Sequence, residues 1–353
     1  MQPEPPPAAL RLDIDRDALA SNWRTLDAMS GNASAGAAVK ANGYGLGVPA
    51  VVPVLRDIGC RNFFVAHWSE VAAVAEHVPS SAISVLHGPL TAADAAYARA
   101  MGVKPVINSP AQARLWLEAG GGACDLMVDT GINRLGLPTI ELGDEAIARL
   151  EVDVLMSHLA AADEDVPLNE RQCTRFDEVK RAIPHRRSSL ANSAGIALGS
   201  AYHGDLTRPG LALYGGIQRP ELAGRIRQVA RPMASILQVR HVESGDSLGY
   251  NATFTASGPM RVGTIALGYA DGYLRCWSGK GAMLSAGRRL PVLGRVSMDM
   301  TIIDLCAAPD LEEGDWVEVA YAPVEAAATS GLSQYELFTL LGQRFGRQGP
   351  ARR

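Results

Sequence analysis

Lys40 closes an apolar run, Ala37-Ala-Val-Lys40, and a glycine-rich segment, Ala41-Asn-Gly-Tyr-Gly-Leu-Gly47, follows it. An ammonium at the end of a buried strand is partly desolvated, which favours the neutral amine needed to attack a carbonyl carbon. The same lysine also reads as a side chain snorkelling from the rim of a core. Ala191-Asn-Ser-Ala-Gly195 opens a helix, so backbone N–H groups and the Ser193 hydroxyl can face an anion. Gly210, after Arg208-Pro209, lets backbone approach closely at the next loop. Alone, Ser193 also reads as a bare helix cap. An amine beside such a phosphate site points to one cofactor, pyridoxal 5′-phosphate. Asp129-Thr-Gly-Ile-Asn-Arg-Leu-Gly136 can deliver Arg134 to the same place, while Ser157-His158 and Thr207-Arg208 close two further runs. Taken singly these are ordinary surface or core residues, as His67, His87 and His203 are read to be.

What must position them is an alternation of β-rich runs and helical stretches. The runs are Gly36–Lys40, Asn62–Ala66, Ala82–Leu86, Val103–Ile107, Ala123–Val128, Val152–Ser157, Arg186–Leu190 and Gly204–Thr207. Helical spacing lies between them, as in Ala111–Ala119 after Ser109-Pro110 and in Asn169–Ile183. Eight such runs imply parallel strands joined by crossovers and favour a closed (β/α)8 TIM-type barrel over an open sheet. Chemistry then belongs at the C-terminal strand ends. Lys40, Arg134, His158, Ser193 and Arg208 all fall on that face. After residue 222 the runs shorten and Gly-rich turns separate them, as in Glu243-Ser-Gly-Asp246 and Glu312-Glu-Gly-Asp315, which reads as an antiparallel β-domain. The expected organisation is a disordered tail over 1–9, a barrel over 10–222 and a β-domain over 223–353, with Leu10–Ile14 able to join either.

Composition excludes several other functions. The 353 residues carry 33 Lys plus Arg against 37 Asp plus Glu, a net charge of −4, which argues against a nucleic-acid partner. No apolar run approaches the ~18 residues of a membrane helix. The Pro-rich start has no positive charge before Arg11 and is no secretory signal. Cys60, Cys124, Cys173, Cys276 and Cys306 lie too far apart for a C-x-x-C metal knuckle, so no metal is expected. Their odd number fits a reducing cytoplasm.

The motifs together resemble those of alanine racemases. Ala38-Val-Lys-Ala-Asn-Gly-Tyr-Gly45 is similar to the family's cofactor-lysine motif. The agreement continues through Asp129–Gly136, His158-Leu-Ala-Ala-Ala-Asp163, Ala191-Asn-Ser193 and Arg208-Pro-Gly-Leu-Ala-Leu-Tyr-Gly215. It ends with Gly268-Tyr-Ala-Asp-Gly-Tyr273 and Gly294-Arg-Val-Ser-Met-Asp299. The resemblance implies a head-to-tail homodimer with shared active sites. It implies that Lys40 holds pyridoxal 5′-phosphate covalently, that Tyr44, Ser193, Gly210, Leu211 and Tyr335 surround the phosphate, and that Arg208 faces the pyridine nitrogen. Arg134 would meet the cofactor's phenolic oxygen and the substrate carboxylate. Tyr269 would come from the other subunit, with the Met298 N–H helping to hold that carboxylate.

Racemisation removes a Cα proton from one face and returns one to the other. By the resemblance, Lys40 serves the D side and Tyr269 the L side. A free phenol titrates near ~10, so a base of this kind needs support, and a chain through His158 to Arg208 can supply it. The expected activity is interconversion of L- and D-alanine, supplying D-alanine for peptidoglycan. A racemase of serine or another small amino acid, and a non-catalytic pyridoxal-phosphate-binding protein, are the alternatives. Two positions depart from the family pattern. Met127 stands where many relatives have a carbamylated lysine, and Leu46 where a histidine is usual. The first removes an anion beside Arg134, for which chloride, the Asn133 side chain or water are candidate replacements.

Overall fold

The computed structural model describes residues 6–348, which divide into two compact units. One is Asp17–Arg227; the other joins the segment up to Arg16 with that from Gln228 onward. The division falls somewhat later than the change of texture after residue 222. Of the tail expected over residues 1–9, residues 1–5 lie outside the described residues. Its far end is tied down, because the Ala9 carbonyl accepts from Ser235 N at 2.9 Å.

Seven strands of the first unit pair in parallel: Ala37–Ala38, Phe63–Val65, Ile83–Val85, Lys104–Ile107, Ala123–Asp129, Glu151–Met156 and Arg187–Ser189, in that spatial order. Leu206–Thr207 pairs in parallel with Ser34–Ala35, just ahead of the first of them. Gly36 N donates to Thr207 O at 2.9 Å, and Ala38 N to Pro209 O at 2.9 Å. On the other side Asp205 N donates to Ser188 O at 2.8 Å, so hydrogen bonds run right round a (β/α)8-type barrel. Five of these short strands supply apolar side chains to shared buried packing. Phe64, Val106, Met127, Val154, Met156 and Leu206 form one such buried cluster.

The helices begin where the sequence offers caps. Ser109 Oγ accepts from Gln112 N at 3.2 Å, ahead of Pro110–Glu118. Pro167 opens the long helix Pro167–Ala182, two residues earlier than spacing alone suggested. The first β-run also differs from its reading as one strand. The strand stops at Ala38, and Lys40 begins a turn instead of closing the strand.

In the second unit Ala230–Val242, Trp316–Val319, Ala282–Ser285, Arg288–Leu293, Thr301–Asp304 and Met260–Ile265 pair in turn, and the last pairs back onto the first. The result is a closed antiparallel barrel. Ala230–Val242 closes it because a register shift between Ile236 and Gln238 lets one strand serve two partners. Leu10–Ile14 extends this sheet, antiparallel to Ala230–Ala234 and parallel to Gly346–Gln348. Two helices, Pro323–Ser330 and Gln334–Thr339, complete the unit, in a region whose sequence reads as strands and turns. Among the described residues no helix is long and apolar enough to cross a membrane.

Candidate active site

The chain turns sharply after the first barrel strand. Ala41, Asn42, Gly43 and Tyr44 have φ of 53°, 55°, 62° and 54°, a left-handed turn in which glycine and asparagine are the tolerant residues. Gly43 N donates to Val39 O and Gly45 N to Ala41 O, both at 2.8 Å, and Asn42 Oδ1 accepts from Val48 N at 2.9 Å. This turn sets Lys40 at the C-terminal mouth of the barrel, partly buried. Burial lowers the pKa of its amine, and the nearby Arg134 adds to this; Glu70 opposes and Arg208 reinforces it.

Tyr44 ends the turn and stacks on Tyr214, with ring centroids 4.6 Å apart. Tyr214 Oη in turn donates to Ala38 O at 2.8 Å, which locks the Lys40 strand to the loop after the last strand. A Cβ on Gly210 would lie 2.3 Å from Tyr44 Oη, so only glycine allows this approach. Ser193 begins the helix Ser193–Ala197, capped by Asn192, and its Oγ accepts from Gly210 N at 2.9 Å. Leu211 opens the one-turn helix Leu211–Tyr214, whose first N–H groups have no acceptor within the turn. Two helix starts, a serine hydroxyl and a phenol thus converge on Gly210.

Arg208 is buried, with one guanidinium nitrogen donating to Ser157 O at 2.5 Å and another to Ser189 Oγ. Burial lowers its pKa to about 10, so it stays a cation at neutral pH. The His158 imidazole is pushed down to about 3 by burial, then by Arg208, Arg134 and Lys40, and is therefore neutral. Gln172, on the long helix, fixes the His158 backbone from both sides. Its amide donates to His158 O at 2.9 Å and its carbonyl accepts from Ala160 N at 2.8 Å. Sequence reasoning missed Gln172, which lies inside a helix, and Ser189, which ends its strand but belongs to no recognisable motif. Arg134 is exposed and forms no hydrogen bond or ion pair with any described residue.

Tyr269, Met298 and Tyr335 belong to the other unit. Tyr269 N donates to Ser297 O and Ala270 N to Met298 O, both at 3.0 Å, so the Gly268–Tyr273 and Gly294–Asp299 motifs lie backbone to backbone. A Cβ on Gly268 would fall 2.3 Å from Met298 O. Arg344 bridges both motifs, with Asp271 at 2.6 Å and Asp299 at 2.7 Å. The Arg275 guanidinium stands 5.2 Å from the centre of the Tyr269 ring, a contact no sequence pattern announces. Tyr335 sits half-exposed on Gln334–Thr339.

Residues 14–218 match the alanine racemase N-terminal domain, and residues 229–349 the alanine racemase C-terminal domain. The chain belongs to the alanine racemase family. The alanine racemase of Methylobacterium nodulans is 42% identical over 354 residues, spanning 96% of this chain and 95% of its own. A biosynthetic alanine racemase of Agrobacterium fabrum is 39% identical, over 97% and 94%. Among solved structures, the Bartonella henselae alanine racemase with covalently bound pyridoxal phosphate superposes with a TM-score of 0.88. It is 33% identical and covers 96% of this chain and 99% of its own. The alanine racemase resemblance read from seven separate segments thus extends over both units.

Proposed function

We propose that this chain interconverts L- and D-alanine with pyridoxal 5′-phosphate held covalently on Lys40. The observation that carries the reading is the joining of a lysine of lowered pKa to an anion cradle through Tyr44, which starts four residues from Lys40 and ends against Gly210. The donors suit the group. A phosphate dianion is matched by the Ser193 hydroxyl, the Tyr44 phenol and the Leu211 N–H that opens Leu211–Tyr214, with Gly210 leaving room where a Cβ would intrude.

When bound, pyridoxal 5′-phosphate supplies the electron withdrawal that acidifies the Cα–H of an attached amino acid. Lys40, as a free amine, takes and returns the proton on the D side, and its lowered pKa suits that work near neutral pH. Tyr269 of a second copy does the same on the L side. His158, neutral, can accept from the Tyr269 hydroxyl. Arg208, a permanent cation pinned by Ser157 and Ser189, faces the ring nitrogen without giving up a proton, which weakens electron withdrawal there and limits side reactions. Arg134 and the Met298 N–H orient the substrate carboxylate. The working form is a homodimer in the cytoplasm, each copy lending Tyr269 to the other, and the product supplies D-alanine for peptidoglycan.

Incubating purified protein with L-alanine and pyridoxal 5′-phosphate, followed by chiral analysis, tests the activity. D-Alanine accumulating toward an equal mixture supports it. Turnover of a different amino acid, with none of alanine, overturns the substrate. Deleting the gene in its native host tests the physiological role: growth that does not come to depend on D-alanine overturns it.

A further inference from the structure

Glu70 lies outside every motif assigned above, yet its carboxylate spans the two loops beside Lys40. It ends the one-turn helix Trp68–Glu70, which follows the second barrel strand. Oε1 accepts from the N–H of Ala41, the residue directly after Lys40, at 2.5 Å. Oε2 accepts from Ala66 N at 2.8 Å and His67 N at 3.0 Å. Ala41 is also the first of the four consecutive left-handed residues, and it has a Cβ to accommodate there. An unfavourable backbone run persists only where its surroundings over-determine it. The Ala41 amide is held by a charged acceptor, which makes stronger hydrogen bonds than a neutral one. The same carboxylate stands against the positive field of Arg134 and Arg208 at Lys40.

We infer that Glu70 is a positioning residue for Lys40. Its two oxygens clamp the Ala41 amide to the Ala66 and His67 amides, and so hold the left-handed turn that fixes where the Lys40 amine stands. The inference rests on the reading of Lys40 as the cofactor lysine. It requires both oxygens to accept. Glutamine has the same shape, but whichever way its amide turns, an NH2 faces a backbone N–H on one of the two loops.

The test uses full-length protein stripped of cofactor, to which pyridoxal 5′-phosphate is added. Borohydride trapping at timed intervals and peptide mapping then give the rate of capture at Lys40. Glu70→Gln should slow capture by about tenfold or more, with the label still on Lys40 and the melting temperature of the stripped protein within a few degrees of wild type. Glu70→Asp keeps the charge but loses the reach, and should be slowed as well. Wild-type rates in Glu70→Gln, or in Glu70→Asp, overturn the clamp. Hydrogen exchange on the unaltered protein is an independent measurement should the variants not fold. The Ala41 amide should be protected as strongly as that of Val39, which donates to Phe64 O; exchange at an unprotected rate overturns the inference. Label on a different lysine in the wild type defeats the assignment of Lys40 itself, whereas label on Lys40 at equal rates defeats only the role of Glu70.

Discussion

Ser193 Oγ accepts from two backbone amides of the following loop, Gly210 N at 2.9 Å and Ala212 N at 3.2 Å. One buried hydroxyl therefore sets the spacing of the two loops proposed to form the anion cradle. Ser193→Ala leaves both amides without this acceptor, at a cost of roughly 1–3 kcal/mol. We expect pyridoxal 5′-phosphate to bind the stripped variant about tenfold more weakly by equilibrium dialysis, with Lys40 still the residue labelled by borohydride. Unchanged affinity would remove Ser193 from the cradle.

Tyr269→Phe deletes one hydroxyl and leaves the ring under Arg275. If Tyr269 and Lys40 divide the two faces, turnover falls in both directions, because each direction needs a base and an acid. In D2O the residual exchange at Cα should then run faster from D-alanine than from L-alanine. Equal exchange from both enantiomers would point to a single base. Mixing inactive Lys40→Ala with inactive Tyr269→Phe should restore part of the activity where subunits exchange, since some mixed dimers regain one complete site. No recovery despite verified exchange would count against shared sites.

His158 gives a pH signature independent of catalysis. Its folded pKa is about 3, against roughly 6.5 for an unfolded histidine. Between those values the unfolded chain binds a proton that the folded one does not, so the contribution to stability is intact above ~6.5 and is lost as pH falls toward 3. The slope from this one group approaches ~1.4 kcal/mol per pH unit. Urea unfolding of the stripped protein at pH 7, 6 and 5 should show the loss, and His158→Asn should flatten it by about that slope. Parallel curves for the two proteins would mean that His158 is charged in the fold.

The barrel was legible because its strands are bounded by breakers and its helices by caps: Ser109-Pro110 foretold Pro110–Glu118 to within a residue at each end. The barrel candidates Lys40, Arg134, His158, Ser193 and Arg208 stand out in the sequence only as a set, each at or just past a strand end on one face. What escaped was everything set by backbone conformation or by distance across the barrel. Gly36–Lys40 looked like one apolar strand, and nothing in composition reports that Ala41 and Tyr44 adopt positive φ. Asn42-Gly43 was the available hint, since those two residue types tolerate that region. Glu70 and Gln172 work by reaching backbone amides and carbonyls of loops 29 and 12 residues away, a pairing no local pattern encodes.

Arg134 is the remaining cation, and position 127 bears on it. Met127 is buried and packs with Phe64, Val106, Val154, Met156 and Leu206 as part of the barrel core. A thioether carries no charge and is a weak acceptor, so it cannot orient a guanidinium. Nor does Asn133 take a hydrogen bond from Arg134; Asn133 sits at φ 54°, and Arg134 is exposed with no partner among the described residues. A guanidinium with the proposed task of presenting a fork to a substrate carboxylate works best when already oriented, and charge-assisted hydrogen bonds do this most strongly. We expect a small anion such as chloride to take that place. The KM for alanine should then fall as chloride replaces acetate at constant ionic strength, and Arg134→Lys should abolish the dependence. Bicarbonate should have no effect, because there is no lysine at 127 to carbamylate. A flat chloride titration in acetate-exchanged protein, with Arg134 well ordered in a crystal structure, would eliminate the anion and leave water or the substrate itself to orient the guanidinium.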